Sequence, residues 1–456
     1  MKITKQIGKF WLPDSPWHRV YGEFELIKET LGRLLLFDVI DTFVSKAAYF
    51  NEHFQLMQHP LIIGKLKDGT GIALLQSSFR SISLNGYYEY NIDITVFTGP
   101  ILIRSVEDLV FNKISFSFDQ LHQYLGICIR ERDYQQDPQS ISVKYTPSKE
   151  TFKICDSLEC SFNYIYDYSF SSSLSTTQIS SVTLIELESI SSNSIRNWLD
   201  IIDKNIGAFF SIAIGKYLCP IRIKAIFEFE SKLFKFNIFY RLFNNHNELS
   251  HNKRQSLQNM MPDLKDYLAA FYNFSTHYPL IIDNYLTLYK FDAILEYKFL
   301  SAVYSVESYS RYINQDHYFF SPEEFESNYY NPLTTYIKSK FSDPTNSDYI
   351  NRLINSIKFS NELSLRALLT QIFNENKDII DQIFSVNIDD LIAKIVDTRN
   401  WYTHFTKENE KSAAKGYELF ELYIKIKVLF EICLFKQLKM QKEIIVQTIK
   451  NTYLLD

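Results

Sequence analysis

Up to about residue 245 the apolar residues come in short runs, rich in Ile, Val, Leu, Tyr, Phe and Thr and broken by Gly, Asp, Pro and Ser. GRLLLFDVI (32–40), HPLIIGKLKDGTGIALLQSSF (59–79), YYEYNIDITVFTG (87–99) and SISVKYTP (140–147) are of this kind. TFKICDSLECSFNYIYDYSFS (151–171), SSVTLIELES (180–189) and PIRIKAIFEFESKLFKFNIFYRLF (220–243) continue the pattern. Such runs predict β-strands. KDGTG (67–71) lies inside one of them and predicts a hairpin turn, because Asp and Gly tolerate positive φ. One stretch departs from the pattern: Ile195, Trp198, Leu199, Ile202 and Ile206 follow helical spacing, with a serine just before them to cap the first turn.

Beyond residue 245 the pattern changes. NNHNELSHNKRQSLQNMMPD (244–263) is polar and reads as a connection, with a helix after it broken near Pro262. From about 279, apolar residues recur at three and four through LIIDNYLTLYKFDAILEYKFLSAVYSVESYSRYI (280–313), and Ser321, Pro322 and Glu324 mark a new helix start. NELSLRALLTQIFNE (361–375), NIDDLIAKIVDTRNWYTHF (387–405) and a long apolar helix over 411–446 complete the set. The expected fold class is α+β. An N-terminal antiparallel β-rich domain with helical insertions (1–245), more sandwich or distorted barrel than doubly wound sheet, leads through a helix-bearing connector (246–278) to an all-helical bundle (279–456).

Composition excludes several classes. With 456 residues, 46% hydrophobic and 22% charged, the chain can bury two sizeable cores and is not disordered. Its formal charge of -5 offers nucleic acid no overall attraction, so any RNA contact needs a local positive site. The start, MKITKQIGKFWLPDSPWHRVYGEF, lacks the apolar stretch of a secretion signal, and later apolar runs are broken by charges well before about 18 residues. A cytoplasmic protein without a membrane partner is expected. Cys128, Cys155, Cys160, Cys219 and Cys433 are odd in number and scattered, and only Cys155 and Cys160 fall close together. No metal site is predicted from them. GKLKDGTG lacks the length and the Lys-Ser/Thr ending of a phosphate loop, so no nucleotide cofactor is expected either.

Candidate chemistry rests on an arginine followed shortly by a histidine. That spacing occurs three times, at Arg241 and His246, Arg311 and His317, and Arg399 and His404, so context has to separate them. The first pair straddles a strand end and a polar connector, where a surface role is expected, and the second lies at a fraying helix end with no apolar stripe to orient both residues. Arg399 instead continues the apolar stripe Ile392, Ile395, Val396 and needs either an acid or an open cleft. Asn400 and His404 are four apart and share one side of a helix. Histidine moves protons near neutral pH, arginine binds phosphate in a bidentate manner, and asparagine both donates and accepts, which is a set suited to cutting RNA without a metal. RNWLD (196–200) repeats Arg-Asn-Trp with no histidine, so packing alone can also account for that triplet.

Glu307 falls on the face defined by Leu300, Val303 and Tyr304, and Arg366 follows Leu363 on another helical stripe. Two readings stay open for Glu307: an internal ion pair with Arg366 or Arg399 that fixes the bundle, or an orienter of Arg399 at the edge of a wet cleft. Trp17, His18 and Arg19 are candidates for partner binding, against the plainer reading that they anchor the chain start on the sheet.

RNWYTH (399–404) resembles the Arg-Asn-x-x-x-His motif of HEPN-family ribonucleases, with the acidic Glu307 upstream. More narrowly, the layout of a β-rich half before a helical half, together with the opening GKFWLPDSPWHRVYGEFEL (8–26), resembles ApeA-type anti-phage proteins. The resemblance spans nearly the whole chain. It implies RNA cleavage by a homodimer, in which two copies of Arg399, Asn400 and His404 meet across a two-fold axis, and it implies abortive defence. It leaves open the RNA class and whether the trigger is a phage-derived protein or a nucleic acid. A non-catalytic sensor, dimerising through its helical half and binding a partner through its β-rich half, remains the other expectation.

Overall fold

The computed structural model describes residues 5–27, 31–41, 58–82, 86–119, 121–125, 131–133, 142–144, 148–170, 177–229, 232–240, 255–313, 318–341, 347–405, 407 and 409–453. Arg241, His246, His317, Cys128 and the start of the expected connector, 246–254, lie outside the described residues. The chain divides into two compact units, Met1–His277 and Tyr278–Asp456.

The first unit is built on β1 (Gln6–Trp11), β2 (Val20–Ile27), β3 (Leu31–Leu36), β4 (Gln58–Leu66), β5 (Gly71–Ile82), β6 (Tyr88–Gly99), β7 (Val110–Phe118), β8 (Glu131–Asp133), β9 (Ser142–Lys144), β10 (Ser148–Cys155), β11 (Leu158–Phe170), β12 (Thr177–Ser194), β13 (Pro220–Phe229) and β14 (Lys232–Tyr240). Every pairing is antiparallel, and the first six strands close on themselves in the order β1-β2-β3-β6-β5-β4. Closure removes exposed sheet edges. Alternation sends Val20, Phe24 and Leu26 of β2 and Leu34 and Leu36 of β3 to one side, where they meet Phe10, Ile62, Leu74 and Tyr90 in one buried cluster. Gly64 lets the Phe10 ring pass close, since a Cβ there would lie 2.6 Å from it. The KDGTG hairpin forms, with Gly69 at φ 91° and the Asp68 carboxylate accepting the Thr70 N–H at 2.9 Å.

β6 has a second neighbour on its outer edge. Asn237 to Tyr240 of β14 pair with Ile94 to Phe97, and from there the sheet continues as β13, β7, β12, β11 and β10. Helices of this unit are α1 (Leu121–Leu125), α2 (Ile195–Asp200), α3 (Ala208–Ile214), α4 (Gln255–Met260) and α5 (Leu264–His277), with a π-helical turn over 201–207 joining α2 to α3. Ser194 caps α2 by accepting the Asn197 N–H, and the buried Trp198 indole donates to the Phe111 carbonyl at 2.8 Å, fixing the helix to β7. Phe210 packs on Phe118 and Phe162 of the sheet, and Phe209 packs on Phe271 of α5. Pro262 sits in a 3₁₀ turn between α4 and α5, where its missing N–H costs the helix least.

The second unit contains α6 (Pro279–Lys290), α7 (Leu295–Ile313), α8 (Pro322–Phe325), α9 (Asn331–Lys340), α10 (Ser347–Lys358), α11 (Leu365–Glu375), α12 (Lys377–Ile383), α13 (Ile388–His404), α14 (Gly416–Gln437) and α15 (Lys442–Tyr453). α7 and α14 form its centre, and α6, α11 and α13 pack against α7. The expected helix over 411–446 is two helices. Lys439 takes a left-handed conformation at φ 59°, its N–H reaches the Lys436 carbonyl, and the Met440 N–H reaches the Phe435 carbonyl. This is a Schellman closure made without glycine, held by burial of Phe435, Leu438 and Met440.

Within this core the Glu431 carboxylate, 1% exposed, accepts three tyrosine hydroxyls on one oxygen: Tyr285 at 2.6 Å, and Tyr289 and Tyr453 at 2.7 Å each. α6, α14 and α15 are thereby joined. Burial first, and the Glu431 charge after it, push all three phenols well above their ordinary value, so they remain donors. Lys427, one turn earlier on α14, places its Nζ 4.0 Å from the Tyr289 ring centre.

Candidate active site

α13 starts at Asn387, whose Oδ1 accepts the backbone N–H groups of Asp389 and Asp390. Leu391, Ile392, Ile395 and Thr398 form its buried face. Its last residue is His404. Phe405 follows in the left-handed region at φ 51°, with its N–H on the Trp401 carbonyl at 2.8 Å, so the helix stops directly after the histidine. His404 is exposed and Arg399 and Asn400 are half-buried.

The Arg399 Nη1 donates to Asn400 Oδ1 at 3.3 Å, and the Thr403 hydroxyl donates to the Arg399 carbonyl at 2.8 Å. Helical geometry sets Asn400 about 40° and Arg399 about 140° around the axis from His404, so the asparagine stands between the other two. Among the described residues no carboxylate is within ion-pair distance of Arg399.

The segment after α13 folds back over it. The Thr398 hydroxyl, fully buried, accepts the Ala414 N–H at 3.0 Å, and the Tyr402 hydroxyl donates to the Ala414 carbonyl at 3.2 Å. Lys415 lies over the Trp401 ring at 5.4 Å, and Lys394 pairs with Glu418 at 2.6 Å. These contacts fix the last two turns of α13, and hence the backbone that carries Arg399, Asn400 and His404. No local pattern marks Thr398 or Tyr402 as supports, because their partner is the backbone of a residue beyond the helix end.

Glu307 has different company from the one expected. Its Oε1 accepts from Arg311 Nε and Nη2 at 3.3 and 3.1 Å, and Arg311 Nη1 reaches Glu362 at 2.8 Å. Arg311, in the last turn of α7, is therefore a half-buried tie to the approach to α11. The four-residue spacing on one helix supplies Glu307 with a partner at almost no ordering cost, which a residue on another helix must incur. Arg366 is exposed on α11 and Tyr304 is 59% exposed, so the inner face of α7 runs instead through Phe299, Ala302, Val303 and Val306.

Trp17, His18 and Arg19 stand in the β1–β2 connection. His18 Nε2 is 2.8 Å from the Val39 carbonyl, while Arg19 binds the Pro16 carbonyl and covers the Trp11 ring at 4.9 Å. These two anchor the connection to the barrel. Trp17 is 75% exposed.

The chain thus joins a β-rich unit to an all-helical unit in which Arg399, Asn400 and His404 stand at the end of α13. Residues 300–444 match the Apea-like HEPN family model, and residues 5–274 match the model of ApeA N-terminal domain 1. The chain belongs to the ApeA family, and with it to the anti-phage, abortive-infection class that the opening segment and the RNWYTH run resemble. Comparison with curated proteins gave no match, and none was found among solved structures. No described helix is long and apolar enough to cross a membrane.

Proposed function

We propose that the protein is a metal-independent endoribonuclease of abortive anti-phage defence, working as a homodimer whose cleft combines two Arg-Asn-x-x-x-His segments. The observation that carries the reading is the end of α13: a guanidinium with no described carboxylate partner, bonded to an asparagine that stands beside an exposed histidine. Arg399 holds the scissile phosphate and offsets charge growing on its oxygens. One His404 takes the proton of the ribose 2′-hydroxyl as its oxygen attacks phosphorus. The other His404, from the second copy, gives a proton to the departing 5′-oxygen. Asn400 keeps the guanidinium in place. Glu307 is given no part in this scheme, since its bonds go to Arg311.

Purified wild-type chain and His404→Ala, compared on a broad RNA panel under activating conditions, test the assignment. A fall of roughly 10²- to 10⁴-fold is expected, the range for a lost acid–base group. Identical products at identical rates would overturn it. The sensor reading draws on one observation, the exposure of Trp17. It requires that His404→Ala retain defence while a folded Trp17→Ala chain loses it.

A further inference from the structure

A cavity of about 370 Å³ opens in the first unit between α2, the π-helical turn that follows it, and the strands β5, β6 and β14. Its size falls in the range of small-molecule pockets. Asp93 of β6, Asp200 of α2 and Asp203 of the π-helical turn line it, against one lining cation, Arg196. Two of its walls have uncommon backbone. π-Helical turns are rare and recur at functional positions, and Gln76, inside β5, takes a left-handed φ of 54° that strands seldom contain.

The same wall holds an unsatisfied hydroxyl. Tyr240, the last residue of β14, lines the cavity, and its Oη is buried with no hydrogen-bond partner among the described residues. Tyr217 nearby is different, since its hydroxyl donates to Asp203 Oδ1 at 2.6 Å. Burial first, and the Asp203 charge after it, push the Tyr240 phenol well above its ordinary value, so it stays protonated and keeps both a donor and an acceptor to offer. A stranded polar group costs the fold stability, and its retention calls for a use outside the fold.

Charge selects the occupant. Three carboxylates to one guanidinium repel phosphates and carboxylates, and Lys204, 3.1 Å from Asp200 Oδ1, offsets this only in part. Among the described residues no three acids, histidines or cysteines converge closely enough to hold a metal ion. Carboxylates spread along a wall suit an organic cation instead, whose ammonium N–H groups donate to a carboxylate and to a phenol oxygen together.

We propose that this cavity binds a small aliphatic amine, whose ammonium group donates to Asp200 and to the Tyr240 hydroxyl while Asp93 and Asp203 add to the attraction. The site lies within the first unit and does not rest on the nuclease reading.

Titration calorimetry of the full-length chain with putrescine and spermidine tests it, with adipate, a dianion of similar span to putrescine, as the counterpart. Saturable binding of an amine and none of adipate is expected. Tyr240→Phe should weaken that binding roughly tenfold or more, the effect of losing a hydrogen bond to a charged group. It should also melt no earlier than wild type, because the hydroxyl supports nothing in the fold. Asp200→Asn, at a half-exposed position, should weaken binding to a similar degree. Amines also gather loosely on any chain of negative net charge, -5 here, but Tyr240→Phe alters no charge. Amine binding indifferent to Tyr240→Phe or to Asp200→Asn would therefore overturn the proposal, as would no saturable amine binding or equal binding of adipate. A Tyr240→Phe chain that melts well below wild type would overturn it too, by giving the hydroxyl a structural role. The readout is binding and not RNA cleavage, so its failure leaves the nuclease assignment untouched.

Discussion

At single residues, the support of α13 is as testable as its chemistry. Thr398→Val keeps the shape of a fully buried side chain but removes the acceptor of the Ala414 N–H. A loss of about 1–3 kcal/mol is expected in denaturant unfolding, the cost of stranding a buried donor. His59 makes a pH prediction for the barrel. Burial holds its imidazole below the ordinary 6.5, with the Asp41 charge pulling weakly the other way. The unfolded chain therefore takes up this proton first as pH falls. The contribution of His59 is complete above about 6.5 and is lost as pH drops through that value toward the lower folded one. The first unit should melt earlier at pH 5 than at pH 7, and His59→Gln should flatten part of that slope; an unchanged slope would remove His59 as its source. Residue-level chemistry was only partly legible in the sequence. The four-residue spacing of Asn400 and His404 fixed their common side, and the same spacing joins Glu307 to Arg311, whereas Glu362, which completes the Arg311 tie, lies 51 positions beyond the arginine and had no local signal.

For whole elements, helix type followed from periodicity and helix ends followed only where a capping residue announced them. Ser194, Ser321 and Asn387 all cap as their side chains suggest. The break between α14 and α15 has neither glycine nor proline to mark it, because burial of Leu438 and Met440 holds Lys439 in a conformation that L-residues disfavour. Lys439→Gly should relieve that strain and stabilise the second unit by about 1 kcal/mol in thermal or denaturant unfolding. A loss of stability would mean the lysine side chain contributes more than its backbone costs. The Glu431 cluster binds α15 to the rest: Tyr453→Phe removes one of three hydroxyls on a buried carboxylate. About 1.5–3 kcal/mol should be lost, and hydrogen exchange should rise first in α15. The six-strand closure of the barrel was beyond the reach of local pattern, since it depends on β6 pairing along one edge with β5 and dividing its other edge between β3 and β14.

At the scale of the molecule, the central claim is that the site is shared. One α13 carries one histidine, whereas cleavage through the 2′-oxygen needs a base and an acid. A two-fold axis beside the end of α13 would supply the second histidine and a second Arg399, concentrating positive charge that a chain of formal net charge -5 lacks overall. Mixed dimers of Arg399→Ala and His404→Ala chains test this most directly, because each variant keeps the group the other has lost. RNA cleavage by the mixture, at a rate well above either variant alone, is the predicted result. A mixture no more active than its separate components, with wild-type chain fully active under the same conditions, would contradict the shared cleft.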